Sequence, residues 1–466
     1  MMEQYKTMAL LLVGFITLIY FSSISISDTI RQDFFLNIIC LHLHPNTNVC
    51  NTQYNETVKD QIESLTATYI SISMYLEKGL PIGICLVAGS LSDVYGRKWL
   101  ILLSTFSGVV TFATYFSLSL VPSFCSQHIW ILLLPSLFYA IGGTQSLFFI
   151  GIASHLGDVL IQNKTSSQIK TIGFTVIEIC AMTGIPLGLL IGTAVFSCKG
   201  FPMTFIVSTI IQLCIFISCQ LLIPKQNSCK DNKTDLLTGK ERSDKTNLSV
   251  FNRIYKACFR RRKGSLRGVM LLLIIARLVA KMGEDFYLAI MFVFVEDKFG
   301  WTIQYYNKWM ATYYAFSSIG FLLVTFVLST FISDPMQSAI GCFMGGLFCY
   351  LIGISNQKRE WIMWLASGFG LLRLLPSVIA RSTTSKIANS NEIGSIFSVY
   401  STLECVIPLV VTPLGTSLFN YCLSQHIESG AVFFSAIIFF VTAASIALFT
   451  EPTWIQNLRH IQKENK

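Results

Sequence analysis

Apolar runs of about twenty residues recur along this chain, and they restrict its fold more than any other feature. Only 13% of the residues are charged, about half the share found in soluble domains. A helix rising about 1.5 Å per residue crosses a hydrocarbon layer of about 30 Å in one such run. The sequence therefore predicts an all-α membrane protein and argues against a soluble enzyme, a nucleic-acid binder and a β-barrel. Twelve runs are predicted to span the membrane, near 8–27, 67–91, 98–119, 128–153, 171–195, 202–223, 268–295, 307–331, 336–355, 361–380, 394–418 and 431–449.

The net charge of +9 is concentrated in one segment of the chain. Residues 224–267 hold 13 Lys and Arg against 4 Asp and Glu, so the rest of the chain is neutral. Because this segment separates six predicted spans from six, we expect it to be a basic cytoplasmic linker between two six-helix bundles. The bundles are predicted at 1–223 and 268–449, with a cytoplasmic tail at 450–466. A basic loop, unlike a basic surface, gives no reason to expect a nucleic-acid partner.

Lys and Arg residues are unequally divided between the two sides of the membrane that these spans define. With the N-terminus inside, 23 of the 34 lie on the cytoplasmic side, 7 lie on the opposite side and 4 lie within spans. This bias follows the positive-inside rule, so both termini are predicted to be cytoplasmic. The plasma membrane is the predicted location, and the endosomal or lysosomal membrane is the alternative, because no sorting signal is evident.

Residues 28–66, after the first span, are predicted to form an external loop. Asn55 begins an Asn-Glu-Thr sequence there and is the predicted glycosylation site. Cys40 and Cys50 could close a disulfide in the same loop, although spacing alone does not fix cysteine pairing. No metal site is predicted, because no full set of ligands at metal-binding spacing appears.

The turn between the second and third spans carries the sequence GSLSDVYGRK. Gly89 allows close helix packing, and Gly96 is free to take the positive φ of a tight turn. Asp93, Arg97 and Lys98 can form a charged latch that pairs in one conformation and separates in another. The plainer alternative is that the two basic residues only fix topology. The segment resembles the G-x-L-[AS]-D-x-x-G-R-[KR] signature of the major facilitator superfamily, which implies two six-helix bundles around a substrate cavity.

A second motif lies in the second half of the chain. RSTTSK begins at Arg381, and EIGSIFS follows from Glu392. Together they resemble the R-x-x-x-S-K…E-x-G-x-[IL]-F motif of the proton-coupled folate transporter family, which includes the thymic stromal cotransporter and a lysosomal steroid-conjugate transporter. The resemblance implies a proton-coupled solute carrier. By position it implies proton coupling for Glu178 and substrate or proton handling for Arg381, while Asp158 and Glu404 match further acids of the family.

Departures from the family pattern bear on the solute. The histidine of the folate transporter's seventh span has no counterpart here. Thr144, after Gly142 and Gly143, stands where the folate transporter has an acid, and Gly300 replaces a cysteine before Trp301. These departures leave the solute open among folates, steroid conjugates and muropeptides.

Charges inside the predicted spans mark the candidate site, because each costs about 2.5–3.5 kcal/mol unless it faces a cavity or a partner. Glu178 and Glu404 are lone carboxylates in the fifth and eleventh spans. We expect them to bind and release protons, and pairing with an arginine of a neighbouring helix is the alternative. The seventh span carries four charges on one helical stripe about 100° wide: Arg277, Lys281, Glu284 and Asp285.

We assign proton coupling to the two acids of this stripe and substrate binding to its two bases, with a static salt-bridge cluster as the alternative. Arg373 and Arg381 lie on the tenth span. A planar guanidinium binds carboxylate or phosphate in two places, so these residues predict an anionic solute. For Arg381, a purely topogenic position at the cytoplasmic boundary is the alternative.

These features predict a secondary active symporter that moves an organic, anionic solute with protons by alternating access in the lipid bilayer. Within transport, the alternative is a drug or metabolite antiporter of the same superfamily. A transport-inactive receptor or scaffold on the same fold is the alternative from another class. No nucleotide-binding loop or nucleophile–base pair is evident, so we expect neither an enzyme nor a cofactor. A monomer is expected, although the sequence does not fix the oligomeric state.

Overall fold

The computed structural model describes most of the chain, and every described segment of regular structure is helical. Asn55, Cys50 and nearly all of the predicted linker 224–267 lie outside the described residues. The described ranges are 2–44, 56–162, 167–223, 265–323, 331–388, 390–425 and 427–464.

The first half contains helices α1 to α6. Helix α1 is Met2–Leu43, α2 is Glu56–Tyr95 and α3 is Lys98–Leu120. A short helix at Pro122–Gln127 and a 3₁₀ turn at Ile129–Leu133 lead into α4, which is broken into Leu134–Ile141 and Thr144–Gln162. Helices α5 and α6 form one helical stretch, Ser167–Leu222, which kinks at Gly200 because that residue takes a φ of 70°.

The second half contains helices α7 to α12. Helix α7 is Leu266–Leu288 continued by Met291–Phe299, α8 is Ile303–Leu323 and α9 is Asp334–Ile354. Helix α10 consists of Trp361–Phe369, a 3₁₀ turn at Gly370–Leu372 and Leu375–Ile387. Helix α11 is Ser390–Ser424 and α12 is Ala431–Glu464.

Nine helical segments of the described chain are long and apolar enough to cross a membrane. One of them, Ile172–Leu222, has 51 residues, and at about 1.5 Å per residue it is long enough for two crossings, α5 and α6. Helices α7 and α8 fall outside the nine because the Leu266–Leu288 segment of α7 carries five charges and α8 is rich in polar side chains. With these two the fold is the predicted all-α, twelve-helix arrangement.

Two helix ends differ from the prediction. Helix α1 continues past residue 27 to Leu43 and α2 begins at Glu56, so much of the predicted loop 28–66 is helical. The charges of this stretch resemble a loop in sequence, but Phe34 and its apolar neighbours are buried while Arg31 faces a cavity. Helix α12 likewise extends through the predicted tail 450–466 to Glu464, and Trp454 is buried against the second bundle.

The two bundles pack together on the predicted cytoplasmic side. Phe174 of α5 meets Phe397 of α11 edge to face, with 5.9 Å between ring centroids. Further along the same seam, Ser146 Oγ of α4 lies 3.1 Å from Cys405 Sγ of α11. Since these contacts join the two halves, the described structure is closed toward that side.

Three glycines one helical turn apart allow α5 to approach the backbone of α1. A Cβ on Gly188 would lie 2.3 Å from the carbonyl oxygen of Ser22, and one on Gly192 would lie 2.3 Å from that of Ile26. Gly184 precedes them on the same face and has a similarly close neighbour. Small residues permit such contact between membrane helices, where van der Waals packing replaces the hydrophobic effect.

We expect Gly188→Ala to destabilise the transporter, because the added methyl overlaps a carbonyl oxygen that belongs to backbone; overpacking of this kind costs about 1–3 kcal/mol. Gly83→Ala is the matched control, since a Cβ there meets no atom within 4 Å. The measurement is the melting temperature of detergent-solubilised protein. Equal melting temperatures for the two variants would contradict the packing role.

Candidate functional site

A cavity of about 260 Å³ lies between the two bundles. Five helices contribute charged side chains to its wall. The cations are Lys78, Arg277, Lys281, Arg373 and Arg381, and the carboxylates are Glu178, Glu284, Asp285 and Glu404. All eight residues predicted for proton coupling and substrate binding are among them. Lys78 of α2 is the ninth, and no role was assigned to it from the sequence.

Arg381 of α10 joins the two bundles by ion pairs. Its Nη1 pairs with Oε1 of Glu178 from α5, and its Nη2 lies 3.4 Å from Oε2 of Glu404 from α11. Ser377, one turn earlier on α10, accepts from Arg381 Nη1 at 2.9 Å and donates to Glu178 Oε1 at 3.1 Å. The two acids are therefore not lone carboxylates: each has an arginine of a neighbouring helix as its partner.

The network continues through the charged stripe of α7. Arg277 Nη1 lies 3.1 Å from Glu284 Oε2, and Arg277 Nη2 lies 3.5 Å from Glu404 Oε1. Glu404 is thus shared between two arginines on different helices. Lys281 and Asp285 form a separate pair one turn apart on α7. The stripe is neither isolated nor purely intrahelical, because Arg277 connects it to α11.

Arg373 differs from the other two arginines of the cavity because it forms no ion pair with a carboxylate of the described residues. Its side chain is 1% exposed, and its guanidinium lies over the ring of Tyr313 at 3.8 Å from the centroid. Nη1 donates to Tyr287 Oη at 3.2 Å, whereas Nε and Nη2 have no hydrogen-bond partner. Taking a cation out of water is costly unless an anion compensates it. Arg373 therefore lines the cavity with two guanidinium nitrogens that have no hydrogen-bond partner among the described residues, while Glu284 acts on its charge from beyond ion-pair distance.

Local backbone geometry explains how Arg373 reaches this position. Helix α10 is interrupted at Gly370–Leu372 by a 3₁₀ turn, and the helix resumes at Leu375. Broken helices in transporters commonly line the substrate site, because irregular backbone at membrane depth is tolerated only where it faces protein or a cavity.

The motif between α2 and α3 forms an ion pair with α4. Arg97 is 4% exposed; its Nε lies 2.9 Å from Asp158 Oδ2, and its Nη1 donates to Ser92 Oγ at 2.9 Å. Lys98 Nζ donates to the carbonyl oxygen of Gln220 at 2.6 Å. The predicted fourth span ends at residue 153, whereas α4 continues to Gln162 and places Asp158 beside Arg97 of the turn.

Gly96 has a φ of 97°, the positive value expected of a glycine in this turn. The side chain of Asp93 and the surroundings of Gly89 lie outside the described part of the motif. In the second half, Lys386 Nζ lies 2.6 Å from Asp334 Oδ2, and Thr383 Oγ1 donates to the same oxygen at 3.0 Å. Each half thus has a buried ion pair close to the closed side of the cavity.

The cysteine and glycosylation predictions concern residues near the end of α1. Cys40 is disulfide-bonded. The other cysteines of the described chain are free, so its partner lies outside the described residues, where Cys50 is found. The pairing of Cys40 with Cys50 and the glycosylation of Asn55 stay predictions.

This fold and this charged central cavity define a membrane transporter. The sequence profile of the Major Facilitator Superfamily matches residues 80–413, which is more than half of the chain, so the protein belongs to this superfamily. The superfamily prediction is therefore confirmed, and the chain is a transporter and not an enzyme.

Known proteins resemble the chain over most of its length. A Drosophila melanogaster protein described as "Probable peptidoglycan muropeptide transporter SLC46" is 20% identical over 401 residues, which cover 80% of this chain and 71% of the relative. The human organic anion transporter MFSD10 has a TM-score of 0.67 at 12% identity, covering 95% of this chain and 99% of its own. The proton:xylose symporter XylE has a TM-score of 0.68 at 12% identity, covering 97% and 96%. The two solved structures establish similarity of fold.

We expect Asp158→Asn to lower the stability of the transporter, because it removes a carboxylate charge that pairs with the buried Arg97 guanidinium. Removing one partner of a buried pair costs about 3–5 kcal/mol. Ser92→Ala, which removes one hydrogen bond to the same guanidinium, should cost about 1 kcal/mol. Melting temperatures of the purified variants measure both effects, and a larger loss for Ser92→Ala would refute this ranking.

Proposed function

We propose that this protein is a secondary active symporter that moves an organic anion together with a proton by alternating access. The observation that carries the proposal is the position of Arg381, which is held by Glu178 of the first bundle and Glu404 of the second. The ion pair of Arg381 with Glu178 joins the two bundles in the closed arrangement, so it has to break when the bundles separate.

Protonation is a direct way to release this pair. A proton on Glu178 removes the charge that attracts Arg381 across the bundle interface, and Arg381 keeps Glu404 as its anion. The hydroxyl of Ser377, already bonded to both groups, can still bond to a protonated Glu178. A proton gradient supplies about 1.4 kcal/mol per pH unit for each proton carried. Protonation and release of Glu178 on opposite sides of the membrane would therefore couple that gradient to conformational change.

The charge balance of the cavity favours an anionic solute. Its wall carries five cations against four carboxylates, and Arg373 and Lys78 make no ion pair with any described residue. Arg373 lies on the second bundle and Lys78 on the first, so a carboxylate between them would contact both halves. A proton on Glu178 together with one carboxylate in the cavity leaves the net charge unchanged, which limits the desolvation cost of moving both together.

The relatives support the same assignment. The curated relative is described as a muropeptide transporter, one structural neighbour as an organic anion transporter and another as a proton symporter. The proposal also includes cytoplasmic termini, the plasma membrane or the endosomal or lysosomal membrane as location, and a monomer built from bundles at 1–223 and 268–449.

We expect Glu178→Gln to abolish acid-stimulated uptake in proteoliposomes, because glutamine cannot exchange a proton. Uptake of radiolabelled solute is measured with the vesicle interior at about pH 7.4 and the outside at about pH 5.5 or about pH 7.4. The acid condition gives the wild type a drive of about 2.6 kcal/mol per proton. Glu428→Gln is the control, since that carboxylate is 87% exposed. Acid stimulation that persists in Glu178→Gln would exclude this residue from coupling.

The same vesicles distinguish the alternatives. A symporter carries protons and solute in one direction, whereas an antiporter moves them in opposite directions. A receptor or scaffold moves no solute even under a full pH gradient. A pH-sensitive dye inside the vesicles records the direction of proton movement, and outward solute flow against inward protons would replace the symport proposal with antiport.

We expect Arg373→Gln to raise the KM for an anionic solute about tenfold or more, because a charge-assisted bidentate contact is lost. Arg373→Lys keeps the charge but not the planar fork, and should restore only part of the affinity. Arg359→Gln is the control, since Arg359 is exposed between α9 and α10. An unchanged KM in Arg373→Gln would show that the solute is bound elsewhere.

A further inference from the structure

Two free cysteines from different bundles lie side by side where the bundles meet. Cys85 belongs to α2 of the first bundle and Cys405 to α11 of the second, and a side-chain hydrogen bond joins their thiols. The proposed function assigns no role to either thiol. Because two neighbouring thiols can be oxidised to a disulfide, this pair is a place where the bundles can be linked covalently.

The neighbouring residues of α4 hold both sulfur atoms in place. Cys405 Sγ lies 3.1 Å from Ser146 Oγ, and Cys85 Sγ donates to the carbonyl oxygen of Gly143 at 3.9 Å. Gly143 is at the break of α4 and takes a φ of 74°, a left-handed value that suits glycine. The break thus brings a carbonyl oxygen to the cysteine pair.

Helices α2 and α11 contact each other beyond the cysteines as well. Ser398, earlier on α11, donates from its Oγ to the carbonyl oxygen of Leu86 at 3.5 Å. Leu86 directly follows Cys85 in α2. The two helices therefore approach each other closely along this stretch, and a disulfide between them requires no movement of either bundle as a whole.

The closed arrangement excludes water from the pair. Cys85 is 0% exposed and Cys405 is 2% exposed. An oxidant dissolved in water reaches the thiols when the bundles part on this side. When the bundles close again, an oxidised Cys405 returns to its contact with the thiol of Cys85.

We propose that Cys85 and Cys405 form a redox modification site, at which hydrogen peroxide creates a disulfide that locks the two bundles together. Peroxide oxidises the Cys405 thiol to a sulfenic acid and leaves one molecule of water. The sulfur of Cys85 then attacks that of Cys405; the S–O bond breaks as the S–S bond forms, and the hydroxide leaves with the proton of Cys85 as a second molecule of water. The two thiols together lose two electrons, which peroxide gains.

The disulfide would stop the transport cycle. It holds its two Cα atoms about 4.4–6.8 Å apart, so α2 and α11 cannot separate at this level while it exists. Alternating access requires this side to open, and the oxidised protein would therefore be arrested in the closed arrangement. The inference goes beyond the proposed function, because it concerns neither the proton nor the solute and applies to symport and antiport alike.

The first measurement detects the cross-link itself. The parent protein for this experiment is the full-length chain with Cys198→Ser and Cys214→Ser, which remove two exposed thiols. The purified protein is treated with hydrogen peroxide, the remaining thiols are blocked with iodoacetamide after denaturation, and its peptides are analysed by mass spectrometry. We expect two peptides joined through Cys85 and Cys405, which dithiothreitol separates. Absence of this linked pair from the treated protein would overturn the inference.

The second measurement is uptake into proteoliposomes before and after peroxide treatment. Radiolabelled folic acid, estrone sulfate and muramyl dipeptide are the probes, one for each solute class that the sequence leaves open. We expect the treated parent to lose about tenfold or more of its uptake, because the disulfide prevents opening.

Variants of the pair show whether the loss of uptake arises from this disulfide. Cys85→Ala and Cys405→Ala each remove one of the two sulfur atoms, so peroxide should have little effect on either variant. Cys219→Ala is the matched control, since it replaces a buried thiol of α6 outside the pair and should lose uptake as the parent does. Each variant is compared with its own untreated activity.

The outcomes separate this inference from the proposed function. Equal inhibition by peroxide in the parent and in Cys85→Ala would show that the effect arises elsewhere, and it would overturn the disulfide lock. If the untreated parent takes up none of the three probes, the proposed function is contradicted, while the linked peptides still decide whether the disulfide forms.

Discussion

The cost of holding charge away from water governs the central part of this protein. A cluster of two cations and three carboxylates is tolerable there because the groups are arranged in sequence: Glu178, Arg381, Glu404, Arg277 and Glu284 each contact the next. Removing Arg381 would leave Glu178 without its arginine, and removing Arg277 would do the same to Glu284, so the two arginines hold the cluster together. Since Glu178 alone belongs to the first bundle, the chain of ion pairs crosses the interface at one point.

The rest of the fold holds that crossing point in place. Glycines of α5 fix its approach to α1, and they thereby fix the position of Glu178 on α5. The 3₁₀ turn in α10 is followed by a helix that carries Ser377 and Arg381 on one face. Nearer the closed side, the pairs of Arg97 with Asp158 and of Lys386 with Asp334 are buried as well. Buried charges are therefore compensated by ion pairs both at the central cavity and at its closed end.

Much of this architecture follows from the sequence, because long apolar runs and the GRK turn admit few folds. The charged residues within the spans also led to the cavity, since lipid does not tolerate them. The pairing was not predictable: Arg277 shares a stripe with Glu284, but its contact with Glu404 depends on how α7 and α11 pack. The sequence predicts an end of the first span at residue 27, whereas α1 continues to Leu43, because the charges of this stretch face a cavity rather than water. The only sequence feature that marks the break in α4 is the pair Gly142 and Gly143.

The contact between Ser146 and Cys405 has a practical consequence. Cys405 is a free thiol, 2% exposed, at the seam where α4 meets α11. Any rearrangement that parts the bundles on this side would uncover its sulfur to solvent. Once the exposed thiols of Cys198 and Cys214 are replaced, the rate at which a maleimide labels Cys405 would follow the population of the opposite-facing state.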